Sequence, residues 1–313
     1  MKIFHNLSTY NSDKKTFVTI GTFDGVHIGH NKVIKNLVTE AKEHKAISVL
    51  LTFFPHPRMV LQKNADIKLI NTINERIKLL DNTGLDVLII QEFTQEFSKQ
   101  SSFNFVESIL VKKLNVSKLF IGYDHQFGQN RDGNFNKIKE YGEQFNFKVQ
   151  EITKLDINDI AVSSTMIRKA IENGDILNAN TNLGYNFMLS GSVVEGKNLG
   201  EKIGFPTANL DIKESYKLLP KTGAYVVKSN IDNQQVFGMM NIGFRPTVSG
   251  ENQTIEVHFF NFKKDIYDKE IHIEILQYLR DEKKFDSIES LIEQLQKDKQ
   301  KALKIINGIF FDL

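Results

Sequence analysis

Gly21-Thr22-Phe23-Asp24-Gly25-Val26-His27-Ile28-Gly29-His30 decides how the first half of this chain is read. An apolar run precedes it (Phe17, Val18, Ile20), and an amphipathic one follows (Val33, Ile34, Leu37, Val38, Ala41). That context is strand, glycine-rich turn, helix. A helix N-terminus offers unpaired N–H groups and the positive end of a dipole, which suits phosphate. Gly21 and Gly25 let the backbone come close to a ligand. His27 and His30 can donate to phosphate oxygens, and Phe23 and Asp24 in the same turn join them as candidate nucleotide contacts.

Outward from this turn, strand-like runs over 16–20, 47–53, 87–91, 118–121 and 147–151 alternate with amphipathic stretches over 31–44, 74–82, 103–114 and 134–143. The alternation predicts right-handed βαβ units and a parallel sheet covered by helices. Ligands bind such sheets beyond the carboxyl ends of the strands, where 21–30 falls. At 178–186 the sequence NANTNLGYN is polar and rich in Asn, and it reads as a linker. Short alternating runs follow at 189–194, 224–229, 236–241, 254–260 and 270–279. They predict an antiparallel barrel or sandwich. A last amphipathic helix, roughly 287–306, is expected to pack against it. The domains expected are therefore 1–180 and 181–313.

Composition narrows the function. The 313 residues suffice for about two domains, with 41% apolar and 25% charged residues, as in ordinary globular proteins. A net charge of +2 gives no basic footprint for nucleic acid. The absence of cysteine excludes disulfides, thiolate metal sites and a cysteine nucleophile, and fits a reducing cytoplasm. No apolar run approaches the roughly 20 residues of a membrane span, and residues 1–15 hold no apolar core of signal-peptide length. A cytoplasmic protein with small-molecule partners is expected. Nothing in the sequence predicts an oligomer.

Three more strings in the first half carry candidate chemistry. Thr52-Phe53-Phe54-Pro55-His56-Pro57 is a rigid loop after the second strand. Read alone it is a turn; beside the first motif, Phe53, Phe54, Pro55 and Pro57 can wall a flat aromatic substrate. Gly122-Tyr123-Asp124-His125-Gln126-Phe127-Gly128 follows the fourth strand, with Arg131 close behind. Asp124 can bond a ribose or ring edge, and Arg131 can pair with phosphate. Val162-Ser163-Ser164-Thr165-Met166-Ile167-Arg168 opens a helix. A serine there can be a plain N-cap, or Ser164, Thr165 and Arg168 can hold the β- and γ-phosphates of ATP.

In the second half, Gly204-Phe205-Pro206-Thr207-Ala208-Asn209-Leu210 follows a loop spaced by Gly196 and Gly200. The Thr207 hydroxyl and Asn209 carbonyl are hard oxygen ligands suited to Mg²⁺ that arrives on nucleotide phosphates. Thr254-Ile255-Glu256-Val257-His258-Phe259-Phe260 alternates, so Glu256 shares a face with Thr254, His258 and Phe260. A carboxylate on such a face is usually just solvated; aimed into a pocket, it can act as a general base.

The H-x-G-H pattern resembles the signature of the nucleotidylyltransferase superfamily. Taken together, the strings resemble the bacterial bifunctional riboflavin kinase/FAD synthetase family over nearly the whole chain. Four of the five prolines (Pro55, Pro57, Pro206, Pro246) lie inside the shared motifs. The resemblance implies a Rossmann-like FMN adenylyltransferase domain followed by a β-barrel riboflavin kinase domain. In the barrel, riboflavin's 5′-hydroxyl would attack the γ-phosphate of MgATP. Thr207 and Asn209 would hold metal and phosphates, Glu256 would orient or deprotonate the hydroxyl, and Asn241 and Arg280 would join the ligand contacts. In the first domain, the FMN phosphate would attack the α-phosphorus of ATP and yield FAD. His27 and His30 would stabilise charge there, with Ser164, Thr165 and Arg168 on the leaving pyrophosphate and Phe53, Phe54 and Phe127 as flavin contacts.

The chain departs from the family pattern at Leu199 and Glu201, where basic residues are common, and at Tyr123, His125 and Gln126. A different nucleotidylyltransferase would have no use for the second-half motifs. An enzyme with one live module would most readily lack the kinase. A flavin sensor would not need His27, His30 and Glu256 together. Two sites on separate domains imply that FMN leaves one and rebinds at the other.

Overall fold

The computed structural model describes residues 1–62, 67–122, 128, 133–152, 162–196, 199–247 and 250–311. The chain divides into two compact units, Met1–Ser164 and Thr165–Leu313.

In the first unit, six strands form one parallel sheet: β1 (Lys2–Phe4), β2 (Thr16–Ile20), β3 (Ile47–Phe54), β4 (Val87–Glu92), β5 (Val116–Gly122) and β6 (Lys148–Ile152). Their order is β1-β4-β3-β2-β5-β6. Every residue of β2 is buried, as a strand covered on both faces requires. Alternate residues serve opposite faces. Val18, Ile20, Val49, Leu51 and Ile89 pack with Phe105, Val106 and Leu110 of the helical segment Phe105–Lys113. On the other face, Phe17, Leu50, Leu88 and Ile90 pack with Ile34, Leu37 and Ala41 of α1 (Ile28–Glu43) and Leu80 of α2 (Ile73–Asp81). A further helix, α3 (Phe135–Phe145), lies between β5 and β6 in sequence. From β2 the order runs through β3 and β4 to one side and through β5 and β6 to the other. The turn after β2 thus opens at the switch point of the sheet, where the strand order leaves a crevice for ligands.

The second unit is a closed barrel of order β10-β11-β8-β7-β12-β9. Its strands are β7 (Met188–Val194), β8 (Ala208–Asp211), β9 (Gly223–Ile231), β10 (Gln234–Thr247), β11 (Gly250–Phe259) and β12 (Glu270–Arg280). Closure decides between the barrel and sandwich that the pattern left open. Before it come α4 (Ser164–Glu172) and α5 (Ile176–Leu183), and after it α6 (Ile288–Phe311). Ala224, Val226, Met239 and Phe260 face α6 and bury Ala302 and Ile306.

Two short strands escape the sequence pattern: β1, three residues at the sheet edge, and β8, four residues with Asn209 at its second position. The linker expected over 178–186 is largely helix instead. In α5, Ile176, Ala179 and Leu183 are buried, Asp175 caps the start and Gly184 ends it at φ 79°. Asn180 donates to the Ile275 carbonyl (2.9 Å) and accepts from the Phe187 N–H (2.7 Å), which fastens the helix to the barrel. Burial of that apolar stripe outweighs the low helix propensity of Asn.

Candidate active sites

The first site is the turn between β2 and α1. Gly21 closes β2 by donating its N–H to the Leu51 carbonyl (3.1 Å), and Thr52 Oγ1 donates to the Thr22 carbonyl (3.1 Å). The turn then passes through positive φ at Phe23 (48°), Gly25 (89°) and Val26 (34°). Such angles strain a β-branched residue, so something must hold the turn. Asp24 does so. It is buried, and its carboxylate accepts the N–H groups of Ile70 (3.2 Å) and Asn71 (3.3 Å). Arg76 Nη2, also buried, lies 3.7 Å from Asp24 Oδ1. The Asp24 carbonyl accepts from Ser164 Oγ (2.8 Å). The side chain expected to contact nucleotide is therefore committed to holding the turn. Asp24→Ala should destabilise this unit by about 3–5 kcal/mol, the cost of breaking a buried ion pair from one side, as chemical denaturation would read.

The two histidines crown the turn. His27 is the N-cap of α1, and its side chain accepts from the His30 N–H through Nδ1 (3.4 Å). Since Nδ1 accepts, the neutral ring carries its proton on Nε2, free to donate. The two rings stack at 3.6 Å, and Phe23 lies 4.9 Å from His30. Burial pushes the His27 pKa down to about 4, with Asp24 opposing. Burial, then His27 and Arg76, hold His30 well below the ordinary value. His30 is half-buried as a residue, but its Nδ1 is sealed from solvent and has no hydrogen-bond partner among the described residues. A sealed imidazole nitrogen without a partner calls for one.

Phe53 stacks edge-on against Phe93 (5.7 Å) and tilts against Phe97 (5.6 Å), whereas Phe54 packs with the cluster of Phe17 and Phe23 on the opposite face. Pro55 follows, and Pro57 begins a short helix capped by His56, which accepts the Arg58 N–H (3.1 Å). Thr165 and Arg168 continue the helix that Ser164 opens. Asp124, Phe127 and Arg131, with Tyr123, His125 and Gln126, lie outside the described residues.

The second site is a cavity of about 270 Å³ on the outer wall of the barrel. One row of residues crosses five strands beneath it. Asn209 on β8 is opposite Glu256 on β11, Glu256 is opposite Asn241 on β10, Asn241 is opposite Ala224 on β9, and Ala224 is opposite Arg280 on β12. All five line the cavity, as do Gly200 and Thr207. The neighbouring row, Val257, Met240 and Tyr225, is buried. Thr207 Oγ1 donates to Glu256 Oε2 (3.5 Å). A Cβ at Gly196 would stand 2.1 Å from Asn209 Nδ2, and one at Gly200 2.2 Å from the Phe205 carbonyl. Only glycine leaves this room. Gly204 is needed for another reason, its φ of +79°, and Pro206 follows it closely. Glu201 is exposed and is not among the cavity-lining residues.

Arg280 is less available than its sequence suggests. Its Nε donates to both oxygens of the buried Asp298 (3.1 and 2.9 Å), Nη2 to Oδ2 (2.7 Å) and Nη1 to the Asp281 carbonyl (2.9 Å). It walls the cavity with most of its donors spent. Sequence reasoning missed Asp298, although a signal was there. On α6 it takes an apolar-stripe position in the series Leu291, Leu295, Asp298, Ala302, Ile306, where an acid needs a buried partner. It also missed Arg76, which takes an equivalent position on α2, three residues after Ile73 and four before Leu80.

Comparison with known proteins joins the two sites. Residues 9–166 match the FAD synthetase family model, and 183–306 match the riboflavin kinase family model. Relatives described as bifunctional riboflavin kinase/FMN adenylyltransferase include one from Buchnera aphidicola subsp. Schizaphis graminum. It is 38% identical over 309 residues, 97% of this chain and 98% of the relative. One from Bacillus subtilis is 35% identical over 94% of each chain, and one from Escherichia coli K12 31% identical over 95% of each. A solved structure described as a macrolide-efflux protein from Streptococcus pneumoniae matches at a TM-score of 0.86. Its identity is 29%, over 96% of this chain and 97% of the other. Among the described residues no helix is long and apolar enough to cross a membrane.

The chain is thus an ATP-using transferase with two units of separate chemistry. It belongs to the bifunctional riboflavin kinase/FMN adenylyltransferase family. The barrel unit makes FMN from riboflavin, and the parallel-sheet unit makes FAD from FMN.

Proposed function

We propose that Glu256 is the general base of the kinase reaction, taking the proton of riboflavin's 5′-hydroxyl as its oxygen attacks the γ-phosphorus of ATP. The bond to the bridging oxygen breaks and ADP leaves. The observation that carries this is the row Asn209–Glu256–Asn241 under the cavity, with Thr207 reaching Glu256 at 3.5 Å. A single carboxylate between two neutral amides can accept a proton, and the amides can fix phosphate or flavin oxygens. The donor set also suits Mg²⁺: hard oxygens of Thr207 and Asn209 beside one carboxylate fit an ion whose other ligands are water and ATP phosphates. When bound, Mg²⁺ neutralises charge on the phosphates.

In the sheet unit, the FMN phosphate attacks the α-phosphorus of ATP and pyrophosphate leaves. His27 donates through Nε2, and His30 turns its Nδ1 to a phosphate oxygen. Ser164, Thr165 and Arg168 hold the leaving pyrophosphate. Gly21, Phe23 and Gly25 shape the turn around the nucleotide, while Phe54, Pro55 and Pro57 wall the flavin with Phe53, Asp124, Phe127 and Arg131. Residues 1–180 serve adenylylation and 181–313 phosphorylation, with FMN released between them. The protein acts in the cytoplasm on small molecules and does not bind nucleic acid.

Chromatography of flavins after incubation with riboflavin, ATP and Mg²⁺ tests the whole reading. FMN followed by FAD is expected, and EDTA should stop both steps. Unchanged flavin from riboflavin and from supplied FMN alike would overturn it.

A further inference from the structure

His258 has no part in either reaction above, yet it lines the kinase cavity two residues after Glu256 and is buried. Its Nδ1 lies 2.8 Å from the Pro206 carbonyl oxygen. A carbonyl only accepts, so Nδ1 carries the proton and donates. Burial, with Lys299 nearby, lowers the pKa of the ring, which stays neutral in this tautomer. Phe205 at 5.2 Å and Phe260 at 5.7 Å hold the ring edge-on.

The position of this bond matters. The β8–β11 ladder pairs Asn209 with Glu256 and Ala208 with Val257, and there it stops. The next pair in register would be Thr207 with His258. Proline has no N–H, so the carbonyl is the one backbone polar group Pro206 can offer. Where strand pairing ends, the His258 side chain takes hold of the backbone instead. The peptide it holds is the one that delivers Thr207, whose hydroxyl reaches Glu256.

We propose that His258 is a positioning residue of the kinase: its Nδ1–H bond to the Pro206 carbonyl sets Thr207 in place for MgATP. This rests on the assignment of Thr207 to metal and phosphate made above.

Three variants of the full chain test it: His258→Leu, His258→Asn and Thr207→Ala. The readouts are KM for MgATP and the Mg²⁺ concentration giving half-maximal FMN formation, with FAD formation from supplied FMN and thermal unfolding as checks on folding. His258→Leu should raise both constants by about fivefold or more, the scale of one neutral hydrogen bond, with a smaller fall in kcat. His258→Asn places an amide nitrogen where Nδ1 was and should stay within about twofold of wild type on the same scale. A packing role alone predicts the reverse order, because Leu fills an aromatic pocket better than a short amide; that order overturns the proposal. Thr207→Ala with unchanged constants would bring down the assignment of Thr207 and this proposal with it. A Thr207→Ala effect without a His258→Leu effect would overturn the proposal alone. If His258→Leu folds poorly, His258→Gln, whose amide nitrogen sits one atom too far out, makes the same comparison with Asn.

Discussion

Glu256→Gln is expected to slow FMN formation from riboflavin by about 10²–10⁴-fold, the range of a lost general base, while FAD still forms from supplied FMN. The substitution keeps size and polarity and removes only the ability to take a proton. The cavity row supports a large effect. The residues flanking Glu256 across the strands are the neutral amides of Asn209 and Asn241. Arg280, farther along the row, is held by Asp298 through three hydrogen bonds. Flavin chromatography with riboflavin, and separately with FMN, reads both activities in one preparation. Near-normal FMN formation would reduce Glu256 to an acceptor for Thr207. Loss of both activities in a folded protein would refute the division into two sites.

Much of the frame was legible in the sequence because its signals are local. The expected strands over 16–20, 47–53 and 87–91 match β2, β3 and β4 to within a residue, since apolar runs between polar turns mark strands buried in a parallel sheet. The turn at 21–30 was readable because glycines between an apolar run and an amphipathic one mark a strand-to-helix turn, though the capping of α1 by His27 was not. The role of Asp24 was not. In sequence it is a carboxylate in a glycine-rich turn beside two histidines, and only the fold brings Ile70, Asn71 and Arg76 to it across some 50 residues.

The barrel shows the same limit. Alternation told that Glu256 and His258 share a face, but the face could equally have met solvent. Its cavity exists because α6 lies over that wall and contributes Leu291, Leu295 and Asp298. The row Asn209–Glu256–Asn241 depends on register between strands, which no single strand encodes. Helix α5 was lost to composition. Its Asn residues suggested a loop, whereas the cap at Asp175, the stop at Gly184 and the buried Ile176, Ala179 and Leu183 were there to outvote them.

His30→Ala should lower FAD formation from FMN and ATP by about 10²–10³-fold, the loss typical of one donor to a developing anion, and leave FMN formation intact. His30 is the cleaner of the two histidines to remove. His27 also caps α1, so its loss carries a stability cost of about 0.5–2 kcal/mol of its own. Stacking of the rings at 3.6 Å argues that both work as neutral donors, because two imidazolium ions that close would repel. The pKa directions agree, and their sign can be checked in stability. His27 titrates near 4 when folded and near its ordinary 6.5 when unfolded, so between those values the unfolded chain binds more protons. The folded form therefore loses stability as pH falls from 6.5 towards 4. In His27→Ala that part of the acid sensitivity should disappear. In His30→Ala the lost activity should not return at any pH, since the missing element is a donor and not a charge. Recovery of FAD formation at low pH would show instead that a protonated His27 can stand in for the pair, and that charge, more than placed N–H groups, stabilises the reacting phosphates.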